Sequence, residues 1–394
     1  MRAIGTRVYG LRTPIIRQGD DLTGVVLDTL REAEKQEGVR VADGDIVGVT
    51  EAVLARAQGN YATVGQIARE TRRLFPSGPV GVVFPILSRN RFAMLLKAFA
   101  QGAEQVVVQL SYPADEVGNE VIERDRIEDA GLNPWSDVLP EERFRELFGK
   151  HVPHRFTGID YVEYYRSLAP NIEIILANSP LTILSHADQV IVADIHTRRK
   201  TERRLLEAGA SRVHALDRFL IQPIDGSGYN EIYGLLGSNK AGEDSVKLFP
   251  RACQEFVLDL SQAIQSRCGV RAEVMVYGDG GFRDPVGGIW ELADPVISPA
   301  FTPGLAGTPN ELKLKYLADG EFGHLAVAEQ HSAMVAAIRA KDGRSLVGQM
   351  RAEGTTRRQL TDLLGSLCDL TSGSGDKGTP VVLIQGYFDN FANG

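Results

Sequence analysis

The chain has 394 residues, 43% of them hydrophobic and 24% charged, with a formal net charge of −8 at pH 7. That length can bury one large core or two to three smaller ones, and the acidic balance gives no broad footprint for nucleic acid or an anionic membrane, so small-molecule chemistry is expected. Cys253, Cys268 and Cys368 are odd in number and form no C-x-x-C pair, so neither a disulfide framework nor a zinc knuckle is suggested. No run approaches the ~20 apolar residues of a membrane helix, and the N-terminus lacks an apolar signal region, so a cytoplasmic protein is expected.

In chain order, Ile4 to Leu11 alternates as a strand and leads through TPIIRQGDDL into a helix, with Asp20 or Asp21 as its cap. Asp43-Gly44 makes a turn before a strand at Ile46 to Val49, and Thr50 onward continues as a strand-end segment of small residues where a ligand could approach backbone. GPVGVVFPIL, QVVVQL, IEIILAN, VIVADI and RVHALDRFLI then read as strands. Between them RFAMLLKAFAQGA, IDYVEYYRSLAP and TRRKTERRLLEAGA read as helices, so this block is a mostly parallel sheet covered by helices. The polar stretch from Asp125 to Pro153 interrupts it as a surface excursion. The remainder holds strands EVMVYG and TPVVLIQGYF, helices in GEFGHLAVAEQHSAMVAAIRAK and TTRRQLTDLLGSL, and a glycine- and proline-dense loop system from Gly278 to Gly307. The expected division is one α+β domain from 1–84 and 225–394, interrupted by an α/β insertion at 85–224.

Five stretches are candidates for chemistry. VMVYGDGGFRDPVGG, Val274 to Gly288, puts Asp279 and Asp284 beside glycines at the end of a buried strand, where a carboxylate can meet a metal ion and phosphate oxygens; magnesium prefers such hard oxygen ligands. The competing reading is a glycine turn in which Asp279 caps backbone amides. GSGDKG, Gly373 to Gly378, has the letters G-x-G-x-x-G, but a helix precedes it and a strand follows, the reverse of the dinucleotide fingerprint. It is either a loop whose amides and Lys377 hold phosphates or a flexible connection. GLLGSNKAGEDSVKLFPR, Gly234 to Arg251, is a small-residue loop without Walker spacing. His151 and His154 surround Pro153, which spoils helical metal-pair geometry, and the basic run Thr197 to Arg204 reads as a solvated helix face.

Taken together, separated pieces in order resemble the coenzyme F-420 γ-glutamyl ligase family. RVYGLRTPIIRQGDDL resembles its G-L-P-x-I-x-x-G-D-D-L, DGDIVGVTEAVLARAQG its strand leading to S-K-A-E-G, and GSNKAGEDSVKLFP its D-A-S-N loop. VMVYGDGGFR is similar to its strand ending in D-T-x-G-R, and SGSGDKGTPVVLIQG to its closing M-G-x-x-x-x-G-I-P-V-V-L-I-R-G. The middle block has no counterpart in the short form of the family.

The resemblance implies an ATP- or GTP-dependent ligase that activates a small carboxylate acceptor as an acyl phosphate and joins it to L-glutamate, with magnesium or manganese as cofactor and a homodimeric assembly. Leu11, Pro14 and Ile15 would line the nucleotide site. Glu51 and Arg56 would lie near its phosphates, Ser238 and Asn239 would contact nucleotide or metal, and Gly375, Asp376, Lys377 and Gly378 would close over the phosphates. Asp279 and Asn239 would be metal ligands, and Asp279, Arg56 and Asn239 the catalytic set. Three positions depart: Leu236 stands for the loop aspartate, Arg56 for the lysine and Gly280 for the threonine. Asp225, Glu243, Asp244 or Asp284 could restore the missing carboxylate, Glu243 and Asp284 as further metal ligands. The acceptor is open, a folate-like carboxylate included, and a non-catalytic nucleotide- or metabolite-binding protein is the rival reading.

Overall fold

The computed structural model describes residues 3–278, 282–283, 290–291, 297–341, 346, 348–352, 359–371 and 375–393, with backbone only at 282–283 and 290–291. The strands in chain order are β1 (Arg7–Leu11), β2 (Ile46–Thr50), β3 (Tyr61–Thr63), β4 (Pro79–Val83), β5 (Gln105–Leu110), β6 (Leu139–Pro140), β7 (Ile172–Leu176) and β8 (Gln189–Val192). They continue with β9 (Arg212–Ala215), β10 (Asn239–Lys240), β11 (Ser245–Lys247), β12 (Glu273–Tyr277), β13 (Phe282–Arg283), β14 (Trp290–Glu291), β15 (Ala300–Phe301) and β16 (Val381–Gln385).

A five-stranded sheet, ordered β1-β16-β2-β12-β15, draws its strands from both ends of the chain. Its residues alternate faces with the period of two that a pleated strand imposes. Val47, Val49, Val274, Val276, Val381 and Leu383 face the helices Leu22–Glu37 and Cys253–Cys268, while Ile46, Met275, Tyr277, Val382 and Ile384 face the helix Leu360–Thr371. Gly48 permits that last contact, because a Cβ there would meet Cys368 Sγ at 2.7 Å. Asp21 caps the helix Leu22–Glu37, accepting from the Gly24 amide at 3.1 Å.

The six-stranded sheet, ordered β6-β7-β5-β4-β8-β9, is parallel except for the short edge strand β6. Its strands are apolar almost throughout because helices cover both faces. Val80, Val82, Val106 and Val108 pack into a core with Phe75, Phe99 and Phe219, whose rings meet at 5.4–6.3 Å; Val83, Val107, Val190 and Val192 pack on the other side with Ile183 and Leu205. The fold is therefore mixed α/β and α+β.

Several local expectations change. β4 lies in the middle of the six-stranded sheet although it precedes residue 85, since its all-apolar sequence is satisfied only by neighbours on both edges. The segment after Thr50 is a helix, Glu51–Ala57, begun by the Thr50 hydroxyl accepting from the Ala52 amide at 3.4 Å. RVHALDRFLI extends only to Ala215 before a tight turn of helix at Leu216–Arg218. The Asp125 to Pro153 stretch contains the helices Arg124–Asp129 and Glu141–Phe148, and the latter buries Phe144 and Phe148 in the core. Within Gly278 to Gly307, β13 pairs with β14 and β15 joins the main sheet, so that region is not only loop. The segment from Gly320 is not one helix: a wide helical turn at Leu317–Glu321 ends within its first two residues, and the α-helix is Val327–Ala340. Among the described residues no helix is long and apolar enough to cross a membrane.

Candidate functional site

Strand direction gathers four of the motifs at one end of the five-stranded sheet. β1 runs antiparallel to β16 with Leu11 opposite Val381, β16 antiparallel to β2 with Val381 opposite Val49, and β2 parallel to β12 with Thr50 opposite Tyr277. The exits of β1, β2 and β12 and the entrance of β16 thus share one edge. The contacts agree: the Thr13 amide donates to the Gly378 carbonyl at 3.3 Å, the Thr50 amide to the Pro380 carbonyl at 3.0 Å, and the Tyr277 hydroxyl to that same carbonyl at 3.5 Å. Gly378 takes φ +65°, a left-handed turn that suits glycine, and its amide closes on the Gly375 carbonyl at 3.0 Å. Gly375, Asp376, Lys377 and Gly378 are exposed on this edge.

The fifth motif arrives through a three-stranded sheet, β10-β11-β3. Lys247 on β11 places its Nζ 2.5 Å from both carboxylate oxygens of Glu51, the first residue of the helix after β2. Their side chains are only 13% and 9% exposed, so this is a buried ion pair whose partners depend on each other. Asn239 on β10 sits directly across from Lys247. Arg56, at the other end of the same helix, is exposed and donates from Nε to the Ile16 carbonyl at 2.5 Å, which with the Gly19 amide on Ala57 ties the loop after β1 to the exit of β2. Cys253 lies near this region, but burial, reinforced by the Glu51 charge, pushes its thiol up to about 12, so it carries no thiolate at neutral pH.

Other expected residues fall elsewhere. Leu11 is in the core, so only its backbone reaches the edge, whereas Pro14 and Ile15 are exposed there, Ile15 at 77%. Leu236 is buried among apolar side chains and offers no ligand atom. Glu243 is exposed in the turn of the β10–β11 hairpin, at the opposite end from the Asn239–Lys247 pair, because the ladder runs away from Glu51 before it reverses. Asp244 is paired with Lys97 and Asp225 with Arg69, each at 2.5 Å, so the structure does not bring these three carboxylates to Glu51. Asp279 and Asp284 lie outside the described residues; the chain leaves β12 at this edge through Gly278.

His151 and His154 separate: His154 is buried with its ring edge-on to Tyr161, and burial lowers its pKa, while exposed His151 lies 3.9 Å from Asp160. Asp160 in turn is held by both Arg145 nitrogens. The basic run forms a helix face paired within the chain, Arg198 and Arg199 to Asp217 and Arg203 to Glu207.

A concavity lies at the carboxyl ends of β4, β5 and β8 and spans about 1120 Å³, the open space at its mouth included. Counting only parallel strands, the sheet order places the third, second, first, fourth and fifth strands side by side, and the concavity sits where the direction of winding reverses between β4 and β8. Ligands of open α/β sheets bind at that point. Its loop is fixed in advance. Half-buried Asp115 accepts from the amides of Leu87, Val117 and Asn119, and Tyr165 Oη accepts from the Ser88 amide at 2.7 Å. Burial raises the Asp115 pKa against those bonds. Ser238 and Leu236 line this cleft rather than the sheet edge, and the Lys240 amide donates to the Asn90 carbonyl at 2.7 Å. Lys247, Ser88 and Arg89 were absent from the expected set. Lys247 gave no sequence signal; the polar S-R-N-R after an apolar strand and before a helix did, since that is where such sheets expose backbone.

The sequence matches the family model F420-0:gamma-glutamyl ligase over residues 10–386. No curated protein sequence matches it. With motifs from both ends of the chain meeting on one sheet edge and a family match spanning nearly the whole length, this chain belongs to the F420-0:gamma-glutamyl ligase family.

Proposed function

We propose that the chain joins L-glutamate to a carboxylate acceptor at the expense of GTP or ATP, with the reaction at the shared edge of the five-stranded sheet. The observation that carries this reading is the convergence of the exits of β1, β2 and β12 with the entrance of β16, beside the buried Glu51–Lys247 pair.

A carboxylate is a poor acceptor for an amine because its leaving group would be oxide. Attack of a carboxylate oxygen on the γ-phosphorus, with breakage of the bond to the β-phosphate bridging oxygen, yields an acyl phosphate and a nucleoside diphosphate. The glutamate nitrogen then attacks the acyl carbon, inorganic phosphate departs with the C–O electron pair, and the amine proton passes to phosphate or water. Such transfer needs positioning and charge neutralisation more than covalent help. Lys377, exposed in the 375–378 turn, would receive phosphate oxygens. Arg56 orders the loop bearing Pro14 and Ile15, and Lys247 holds Glu51 in place.

The amide oxygen of Asn239 and the carboxylate of Asp279 are hard-oxygen groups that suit magnesium or manganese and would hold the ion, whose role when bound would be to neutralise phosphate charge; both oxygens of nearby Glu51 are engaged by Lys247. The apolar burial of Leu236 favours the rival reading, a binding protein without turnover. Incubating the chain with magnesium, GTP or ATP, L-glutamate and a panel of carboxylates decides between them: phosphate release that requires both glutamate and an acceptor is expected, and nucleotide binding without release would establish the rival.

A further inference from the structure

The cleft of the six-stranded sheet lies outside the motifs that define the ligase edge, yet the chain joins the two. Ser238 lines the cleft; the next residue, Asn239, pairs across β10–β11 with Lys247, which holds Glu51. Adjacent Cα atoms are about 3.8 Å apart and paired strands about 5 Å, so the cleft wall and the Lys247 backbone are separated by roughly 10 Å. The Lys240–Asn90 hydrogen bond fastens the cleft loop to the same hairpin.

The lining indicates what the cleft takes. Strand β4 is followed by Phe84-Pro85-Ile86-Leu87 without a glycine, so backbone cannot approach a pyrophosphate as it does in dinucleotide folds. Three aromatic side chains instead face the space: Phe92, Tyr161 and Phe156, the last 54% exposed on a cleft wall. The charged lining residues, Arg89 and Arg91, are both cationic, at the start of the helix Phe92–Gly102. Flat rings stack favourably on aromatic walls, and guanidinium groups suit phosphate or carboxylate.

We propose that this cleft is the acceptor site: it takes a ring-bearing organic anion, seats the ring against Phe92, Phe156 and Tyr161, holds an anionic group with Arg89, and directs the reacting carboxylate past Ser238 toward the Glu51–Lys247 edge. The assignment of the bound molecule as acceptor rests on the ligase reading above. It gives the six-stranded sheet a substrate-binding task while the nucleotide stays at the other sheet.

Flavin mononucleotide, a tricyclic ring on a polyol phosphate, serves as the probe, with its ring fluorescence followed in titrations of the full chain. Quenching by the wild-type protein is expected, with Phe156→Ala and Arg89→Ala, both exposed positions, each weakening binding about tenfold. Lys247→Met should leave the quenching intact while abolishing nucleotide-dependent phosphate release. The proposal is overturned if the probe does not bind, if both cleft variants bind it as wild type does, or if ATP or GTP displaces it. A protein that binds the probe in this variant-sensitive way yet never joins glutamate to any carboxylate would uphold the cleft and overturn the ligase reading.

Discussion

The five-stranded and six-stranded sheets each carry a candidate site at one end, and they assemble those sites differently. In the six-stranded sheet the cleft is lined largely by loops that follow consecutive parallel strands, so its location comes with the winding of the chain. In the five-stranded sheet the edge joins residues separated by most of the chain, Thr13 to Gly378 and Glu51 to Lys247, and depends on three strand pairings at once. The first kind of site tolerates local change. The second is lost when one pairing slips, because a one-residue shift of register turns every side chain to the other face.

The strongest test of whether the two regions are separable is Phe99→Ala. This ring is fully buried against Phe219, and its loss should cost about 3–5 kcal/mol. Because the same core includes Ala62, Val64, Leu236 and Val246, from segments that border the other sheet, a single cooperative loss of stability is expected in urea melts followed by circular dichroism. Two resolved transitions would show that the sheets unfold independently.

Glu51→Gln attacks the edge alone. It leaves the Lys247 ammonium buried without its carboxylate, expected to cost about 3 kcal/mol and to reduce phosphate release at least 100-fold, with cleft binding of flavin mononucleotide preserved. Wild-type turnover in this variant would remove the pair from the mechanism. A smaller effect is expected from Arg56→Ala, which frees the Ile16 carbonyl: about 1 kcal/mol, read as a several-fold rise in the nucleotide KM at little change in kcat. Asp21→Ala should lower stability by about 1 kcal/mol through the lost helix cap, without a change in KM; a KM change would mean that the cap also orders the loop before it.

The smallest expected effect is on pH dependence, and it belongs to the six-stranded region. Burial lowers the pKa of His154 and of His214, whose ring packs edge-on to Phe75. The fold therefore favours the neutral rings: their contribution is complete above the unfolded value of 6.5 and is lost as pH falls from there through the lowered folded values. Asp115 and Asp194 act oppositely, since burial raises their pKa values and acid relieves their cost. Comparing urea midpoints at about pH 7.5 and about pH 5.5 for wild type and His214→Gln isolates the histidine contribution; identical losses in both proteins would assign none to His214.

Sequence pattern alone determined the alternation of apolar strands with amphipathic helices in the middle of the chain, a helix cap at Asp20 or Asp21 and the turn at Asp43-Gly44, because each depends on neighbours within a few residues. It also marked the five segments that resemble the ligase family, as short motifs are written locally. The tertiary structure decided that β4 occupies the middle of the six-stranded sheet, that Thr50 begins a helix, and that Leu236 and Glu243 are turned away from Glu51, one into apolar packing and the other to a hairpin tip. It alone paired Lys247 with Glu51 and placed Ser238 on the cleft. The reason is physical: periodicity records which face of an element is buried, but a site between elements depends on strand order and register, which are settled only when distant strands exchange hydrogen bonds and pack together.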